Sequence, residues 1–211
     1  MKTKIKDASI TIPLPGDKER LLQLLKKEAV SKGKITLSSG KVSDFYIDAR
    51  RVTLSAEGAY LCGKIILGMV KDDVVDCIGG PSLGADPLVG SIGVLSFQAG
   101  KPINTFIIRK TPKTHGKQQQ IEGPSLKSGH RVVLIDDVAT AGNSLVQSLE
   151  ILKAIGLKVS KAICLVDREE GAKEALASHQ CQLVSIFDRS DFIRLRPRSC
   201  LATARREGFG G

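Results

Sequence analysis

The chain has no tryptophan, and aromatic residues fill only 4% of its 211 positions. Aliphatic side chains must therefore build the core. No apolar run approaches the ~20 residues that a membrane-spanning helix needs. The opening stretch MKTKIKDASI has lysines but no long apolar segment behind them, so no secretory signal is expected there. The five cysteines (Cys62, Cys77, Cys164, Cys181, Cys200) are odd in number, widely spaced and without a C-x-x-C pair. That pattern argues against a disulfide framework or a zinc site, and for reduced thiols in a cytoplasm. The chain also lacks G-x-x-x-x-G-K-[ST], and no G-x-G-x-x-G follows a strand pattern, so two common nucleotide-phosphate motifs are excluded.

Charge is plentiful but unevenly placed. The net charge is +10. Residues 1–34 carry nine Lys/Arg against four Asp/Glu, and residues 192–211 carry five against one. The stretch between, 35–191, is nearly balanced, with 18 against 17. A nucleic-acid-binding body would show a basic face with stacking aromatics or a known module. Neither is present, so solvated basic ends are the simpler reading. With 42% hydrophobic residues, the length fits one domain, or one domain with a small appendage.

Asp17 is placed to cap a helix that carries Leu21, Leu22, Leu24, Leu25, Ala29 and Val30 on one side, with Gly33 as its stop. Residues 35–48 read as a polar turn between two short strands. A second helix begins at Ser55 and runs through Val70. Strands follow at 74–78, 103–108, 132–135, 159–166 and 182–187, with helices at about 85–97, 145–155 and 172–178 between them. Gly79-Gly80-Pro81 reads as a turn, and residues 110–128 as a polar loop without periodicity. Alternating strands and helices predict an α/β fold with a mostly parallel sheet flanked by helices and right-handed crossovers. Ligands in such sheets bind beyond the carboxyl ends of the strands. Gly79–Pro81, Arg109–Lys110 and Asp136–Asp137 all fall at such ends and should meet in one crevice.

The richest stretch runs from Val132 to Ser144, VVLIDDVATAGNS. Four apolar residues suit a strand buried in a parallel sheet. Asp136 and Asp137 come where that run ends. The small turn Val138-Ala139-Thr140-Ala141-Gly142-Asn143-Ser144 follows, and helical spacing begins with Leu145, Leu149 and Leu152. Backbone N–H groups, a Thr hydroxyl and a helix N-terminus in such a turn are aimed at a phosphate. Two adjacent carboxylates can accept hydrogen bonds from neighbouring ribose hydroxyls. The whole pattern resembles the 5-phosphoribosyl 1-pyrophosphate (PRPP) signature of type I phosphoribosyltransferases.

Three further stretches narrow the resemblance. RKTPKTHGKQQQI, residues 109–121, is a long cationic loop starting at a strand end, and R-K-x-x-K-x-H-G resembles the catalytic loop of orotate phosphoribosyltransferases. Ser39-Gly40-Lys41-Val42-Ser43-Asp44-Phe45-Tyr46 is similar to that family's S-G-[RK]-x-S-x-[FY]-[FY]. Asp167-Arg168-Glu169-Glu170-Gly171 resembles its D-R-x-E-G. The matches run in the family's order from about residue 17 to 192.

The resemblance implies a type I phosphoribosyltransferase fold over residues 1–192, with a small N-terminal cap over about 1–45. Residues 193–211 would be a basic, disordered tail. It implies transfer of the phosphoribosyl group from PRPP to N1 of orotate in UMP synthesis, with Mg2+ held mainly by PRPP rather than by protein ligands. It implies PRPP contacts from Arg109, Lys110, Lys113, His115, Asp136, Asp137 and the turn Val138–Ser144. Lys113, His115, Asp136 and Asp137 would have catalytic roles. Orotate would be met by Phe45, Tyr46, Thr140 and Arg168. A cytoplasmic homodimer is implied, in which loop 109–121 completes the neighbour's site, with no nucleic acid or membrane partner. The chain departs from some family members in carrying Ser38 where they have lysine, and in having no lysine in the turn Gly80–Pro87. Two alternatives stay open at this stage: a phosphoribosyltransferase for another base, and a non-catalytic PRPP-binding regulator.

Overall fold

The computed structural model describes residues 13–36, 42–111 and 120–193, with backbone alone for 32–36 and 42–45. Helix α1 (Asp17–Leu24) passes into a π-helical turn (Leu25–Ala29) and then strand β1 (Val30–Thr36), which pairs antiparallel with β2 (Val42–Ile47). A short helix α2 (Arg50–Thr53) and the longer α3 (Ala56–Met69) follow. The order then alternates: β3 (Cys77–Pro81), α4 (Asp86–Gln98), β4 (Asn104–Ile108), β5 (Ile121–Glu122), β6 (Arg131–Ala139), α5 (Asn143–Ala154), β7 (Lys158–Asp167), α6 (Ala172–Ser178), β8 (Gln182–Asp188) and α7 (Arg189–Ile193). The main sheet has the order β5-β4-β3-β6-β7-β8, and β5 alone runs antiparallel.

This is the predicted α/β architecture, and its core is aliphatic as the composition requires. One buried cluster joins α1, α3 and α4 to one face of the sheet through Leu21, Ile66, Leu88, Ile92 and Ile135. The other packs α5 and α6 on the opposite face through Leu134, Leu145, Leu149 and Leu176. Ser55 caps α3 as its position suggests, its hydroxyl accepting from Gly58 N at 3.1 Å.

Several local expectations are corrected. Asp17 does not cap α1; Gly16 holds that position with φ 98°, and the Asp17 carboxylate instead accepts from Leu14 N and pairs with buried Lys64 at 3.0 Å. Gly33 does not stop the helix. The helical run ends at Ala29, because the chain from Val30 onward is recruited into pairing with β2. Val74 lies outside the strand and is exposed, and pairing begins at Cys77. Gly79-Gly80-Pro81 is strand rather than turn, and the turn follows it at Ser82–Gly84. A Cβ on Gly79 would lie 2.5 Å from Phe106 O, and one on Gly80 1.8 Å from Ile135 O, so glycine lets the neighbouring strands close in. Within the polar stretch 110–128, Ile121 and Glu122 form β5 against β4.

Candidate active site

Strands β3 and β6 are neighbours whose connections leave in opposite directions across the sheet, which makes the space between them the topological switch point. They pair from Cys77–Val132 only as far as Gly79–Leu134. Beyond that point β6 continues to Ala139, held by β7 alone, further than its apolar run suggested. Asp136 and Asp137 therefore lie within β6, in the crevice where β3 has let go. A cavity of about 270 Å3 opens there, lined by Asp136, Asp137, Val138 and Ser144 on one side and by Tyr46, Asp48 and Arg50 on another. Pro81, Ser82, Leu83, Gly84 and Lys110 close it. The expected convergence of the Gly-Pro strand end, the cationic strand end and the carboxylate pair is thus observed.

Asp136 is 6% exposed. Its Oδ2 accepts from Ser144 Oγ at 3.1 Å and its Oδ1 from Asp137 N at 2.9 Å, while Asp137 Oδ1 accepts from Val138 N at 2.8 Å. These bonds aim the carboxylates without neutralising them. Burial, followed by the neighbouring Asp137 charge, pushes the Asp136 carboxyl up to about 8. Asp137 is also raised, mainly by burial. Two carboxyls that resist ionisation in the free protein are suited to a ligand that brings hydroxyl donors or positive charge. Gly84 packs directly on them: a Cβ there would stand 2.3 Å from Asp137 Oδ1 and 2.4 Å from Asp136 Oδ1. The Ser82–Leu83 peptide in the same turn is cis.

The turn after β6 leads into α5, whose N-cap is Gly142 at φ 82°. Packing against Ala172 Cα, 3.0 Å from an added Cβ, and the left-handed backbone both favour glycine here. Ala141, Asn143 and Ser144 are exposed and Thr140 is half-buried, and the first helical residues Asn143 and Ser144 line cavities at the start of this 12-residue helix, whose first-turn amides have no intrahelical acceptor. Ala139 is buried beneath them. A second cavity of about 240 Å3 shares Pro81, Lys110 and Ser144 and adds Arg109 and Asn143. Arg109 pairs with Glu122 at 3.6 Å, and its N–H donates to Gln120 O at 2.8 Å, so β4 and β5 pin both ends of the cationic loop beside the site.

Not every predicted residue gathers here. Arg168 is buried and does not line the cavity; its N–H donates to Ala139 O at 2.9 Å and its guanidinium meets Glu170 at 2.8 Å. Phe45 belongs to β2, but its side chain lies outside the described residues, as do Lys113 and His115 entirely. The basic tail after Ile193 is outside them too. Asp48 and Arg50 were not singled out from sequence. Their signal was a charged Asp-x-Arg directly after an aromatic strand. Arg50 Nε donates to Asp48 Oδ1 at 2.8 Å, which holds the Asp48 carboxyl below its ordinary range.

Comparison with known proteins agrees with this geometry. The phosphoribosyl transferase domain family matches residues 92–186. The orotate phosphoribosyltransferase of Aquifex aeolicus is 38% identical over 180 residues, covering 84% of this chain and 98% of the relative. That of Streptomyces coelicolor is 41% identical over 156 residues, covering 74% and 85%. Among solved structures, Mycobacterium tuberculosis orotate phosphoribosyltransferase in complex with PRPP superposes with a TM-score of 0.70 at 31% identity, covering 83% of this chain and 98% of that one. The Aeropyrum pernix enzyme gives 0.69 at 35% identity, covering 82% and 95%. With a parallel-sheet fold, a carboxylate pair at its switch point and relatives 38–41% identical over most of the chain, the chain belongs to the orotate phosphoribosyltransferase family.

Proposed function

We propose that this chain transfers the 5-phosphoribosyl group of PRPP to N1 of orotate, giving orotidine 5′-monophosphate and pyrophosphate, a step of UMP synthesis. The observation that carries the reading is the Asp136–Asp137 pair in β6, one carboxylate buried and the other half-buried, in the crevice where β3 parts from β6 and beside the N-terminal turn of α5. In this reading the amides and hydroxyls of Val138–Ser144 hold the 5′-phosphate. Asp136 and Asp137 accept from the ribose hydroxyls and, as anions, offset the positive charge that grows at C1 while its bond to pyrophosphate loosens.

Orotate enters as an anion beside Tyr46 and Phe45, with Thr140 near; Arg168, which does not line the cavity in the ligand-free chain, would turn toward it to meet the orotate carboxylate. The fork of an arginine suits that carboxylate, and Glu170 keeps the guanidinium oriented. N1 forms the new bond to C1 as the C1–O bond breaks; the electron pair leaves with pyrophosphate, which takes up the proton that N1 loses. Arg109, Lys110, Lys113 and His115 neutralise that leaving group. No covalent nucleophile is required; positioning and electrostatics supply the rate.

Mg2+ suits this donor set. Among the described residues there is no group of three or more His, Cys, Asp or Glu side chains able to hold a metal. Two carboxylates facing one cavity suit a hard cation that also keeps water and substrate oxygens, and the ion would supply charge neutralisation on the pyrophosphate. A homodimer, with loop 109–121 reaching the neighbouring site, fits the exposed Val94 and Phe97, three residues apart on α4. The buried free thiols Cys62, Cys77, Cys164 and Cys181 are consistent with a cytoplasmic setting.

The test is a base panel. Orotate, uracil, adenine and hypoxanthine are each incubated with PRPP and Mg2+, and pyrophosphate release is measured. Release with orotate alone supports the reading, release with another base replaces the acceptor, and no release from folded, PRPP-binding protein points to a regulator.

A further inference from the structure

We propose that Arg50, oriented by Asp48, grips the diphosphate of the phosphoribosyl donor. The inference rests on the reading of the cavity as a PRPP site. Arg50 opens α2 directly after the β2 hairpin strand, and its side chain lines the same cavity as Asp137, the turn Ser82–Gly84 and Lys110. Its Nε is engaged by Asp48 at 2.8 Å, and its two terminal nitrogens have no hydrogen-bond partner among the described residues. A guanidinium tethered through Nε presents its outer edge in a fixed direction, the arrangement that suits two phosphate oxygens.

The cavity has a direction of its own. Ser144 bonds to Asp136, so that carboxylate belongs to the α5 end, where the 5′-phosphate would sit. Asp137 takes no bond from Ser144 and lines the cavity together with Arg50. A ribose with two adjacent hydroxyls on this pair therefore places C5 toward Ser144 and C1 toward Arg50. In the donor, C1 carries the diphosphate. The turn Gly80–Pro87 offers no lysine to meet it. Arg50 and Lys110 are the two cationic residues that line this cavity among the described residues. Arg50 thus takes up a charge that the turn does not supply.

The test is calorimetric titration of the full chain with PRPP, inorganic pyrophosphate and ribose 5-phosphate, all with Mg2+, on wild type, Arg50→Gln and Arg50→Lys. Melting curves establish that each protein is folded, and Arg50→Lys carries the comparison if the Gln variant does not fold. Arg50→Gln should weaken PRPP and pyrophosphate by about tenfold or more, the loss of a hydrogen bond to a charged group, and leave ribose 5-phosphate unchanged. Arg50→Lys, which keeps the charge but not the fork, should recover only part of the loss. Unchanged pyrophosphate binding, or equal weakening of all three ligands, would overturn the role of Arg50. A raised KM for orotate with pyrophosphate binding intact would also overturn it, by moving Arg50 to the base. Failure of the wild type to bind PRPP at all would overturn the reading of the cavity, and this inference with it.

Discussion

Replacing Asp136 with Asn should make the ligand-free protein more stable in mild alkali while abolishing turnover. The carboxyl is 6% exposed and faces a second carboxyl, so its ionised form is costly in the folded chain and ordinary in the unfolded one. Its folded-state value is raised to about 8 from an ordinary value near 4. Between those limits the folded protein holds a proton that the unfolded chain has released. Stability therefore falls as pH rises through that window, and the cost is fully present above it. At about 1.4 kcal/mol per pH unit the linkage could reach about 5 kcal/mol. Asp137 shares the proton and the site relaxes, so about 2–4 kcal/mol is the expected gain for Asn at pH 8, or roughly 5–15 °C in Tm for a domain of this size. Asn retains an acceptor for Ser144 Oγ and closely matches the carboxyl in shape. Near pH 5 wild type is largely protonated when folded but mostly ionised when unfolded, so the advantage of Asn should shrink to about 1.4 kcal/mol or less there. Thermal unfolding at both pH values, without ligand, makes the comparison. A variant that is equally or less stable than wild type at pH 8, or one whose advantage is the same at pH 5, would refute the reasoning. Adding PRPP and Mg2+ should stabilise wild type far more than the variant, because the ribose hydroxyls are donors that only the carboxylate accepts fully.

Gly84→Ala should leave a folded protein with PRPP affinity lowered by about tenfold or more, since its Cβ would stand 2.3 and 2.4 Å from the two carboxylate oxygens and must displace them; calorimetry with PRPP checks this. Lys113→Ala should lower kcat by ~100-fold or more, as for a lost transition-state donor, with little change in the KM for orotate; an unchanged kcat in steady-state assays would remove its role. Lys64→Ala should destabilise the fold by about 3 kcal/mol or more in denaturant unfolding, because Lys64 is 1% exposed and its loss leaves Asp17 without that partner.

The sequence made the site legible where the chemistry is local. Asp136-Asp137 and the turn to Ser144 form one continuous segment, and the apolar run before them announces a buried strand. What the sequence concealed depends on distant pairing. Nothing in Asp136–Ala139 reads as strand, yet β6 extends through these residues because β7 runs alongside them as far as Asp167. Gly33 looked like a helix stop, but the chain is already in β1 there, since β2 returns to pair with it. Gly79 and Gly80 looked like a turn because glycine often marks one; here each admits a neighbouring backbone instead. Arg50 shows the same limit at the site itself. It carries no motif in isolation, and only the β1–β2 hairpin brings it to the cavity that holds Asp137.

The most direct test of the carboxylate cradle is a crystal structure of the chain with PRPP and Mg2+. The account predicts the ribose hydroxyls within hydrogen-bond distance of Asp136 and Asp137, and the 5′-phosphate on the amides of the turn before α5. A 5′-phosphate bound elsewhere, or a ribose that makes no contact with either carboxylate, would contradict it.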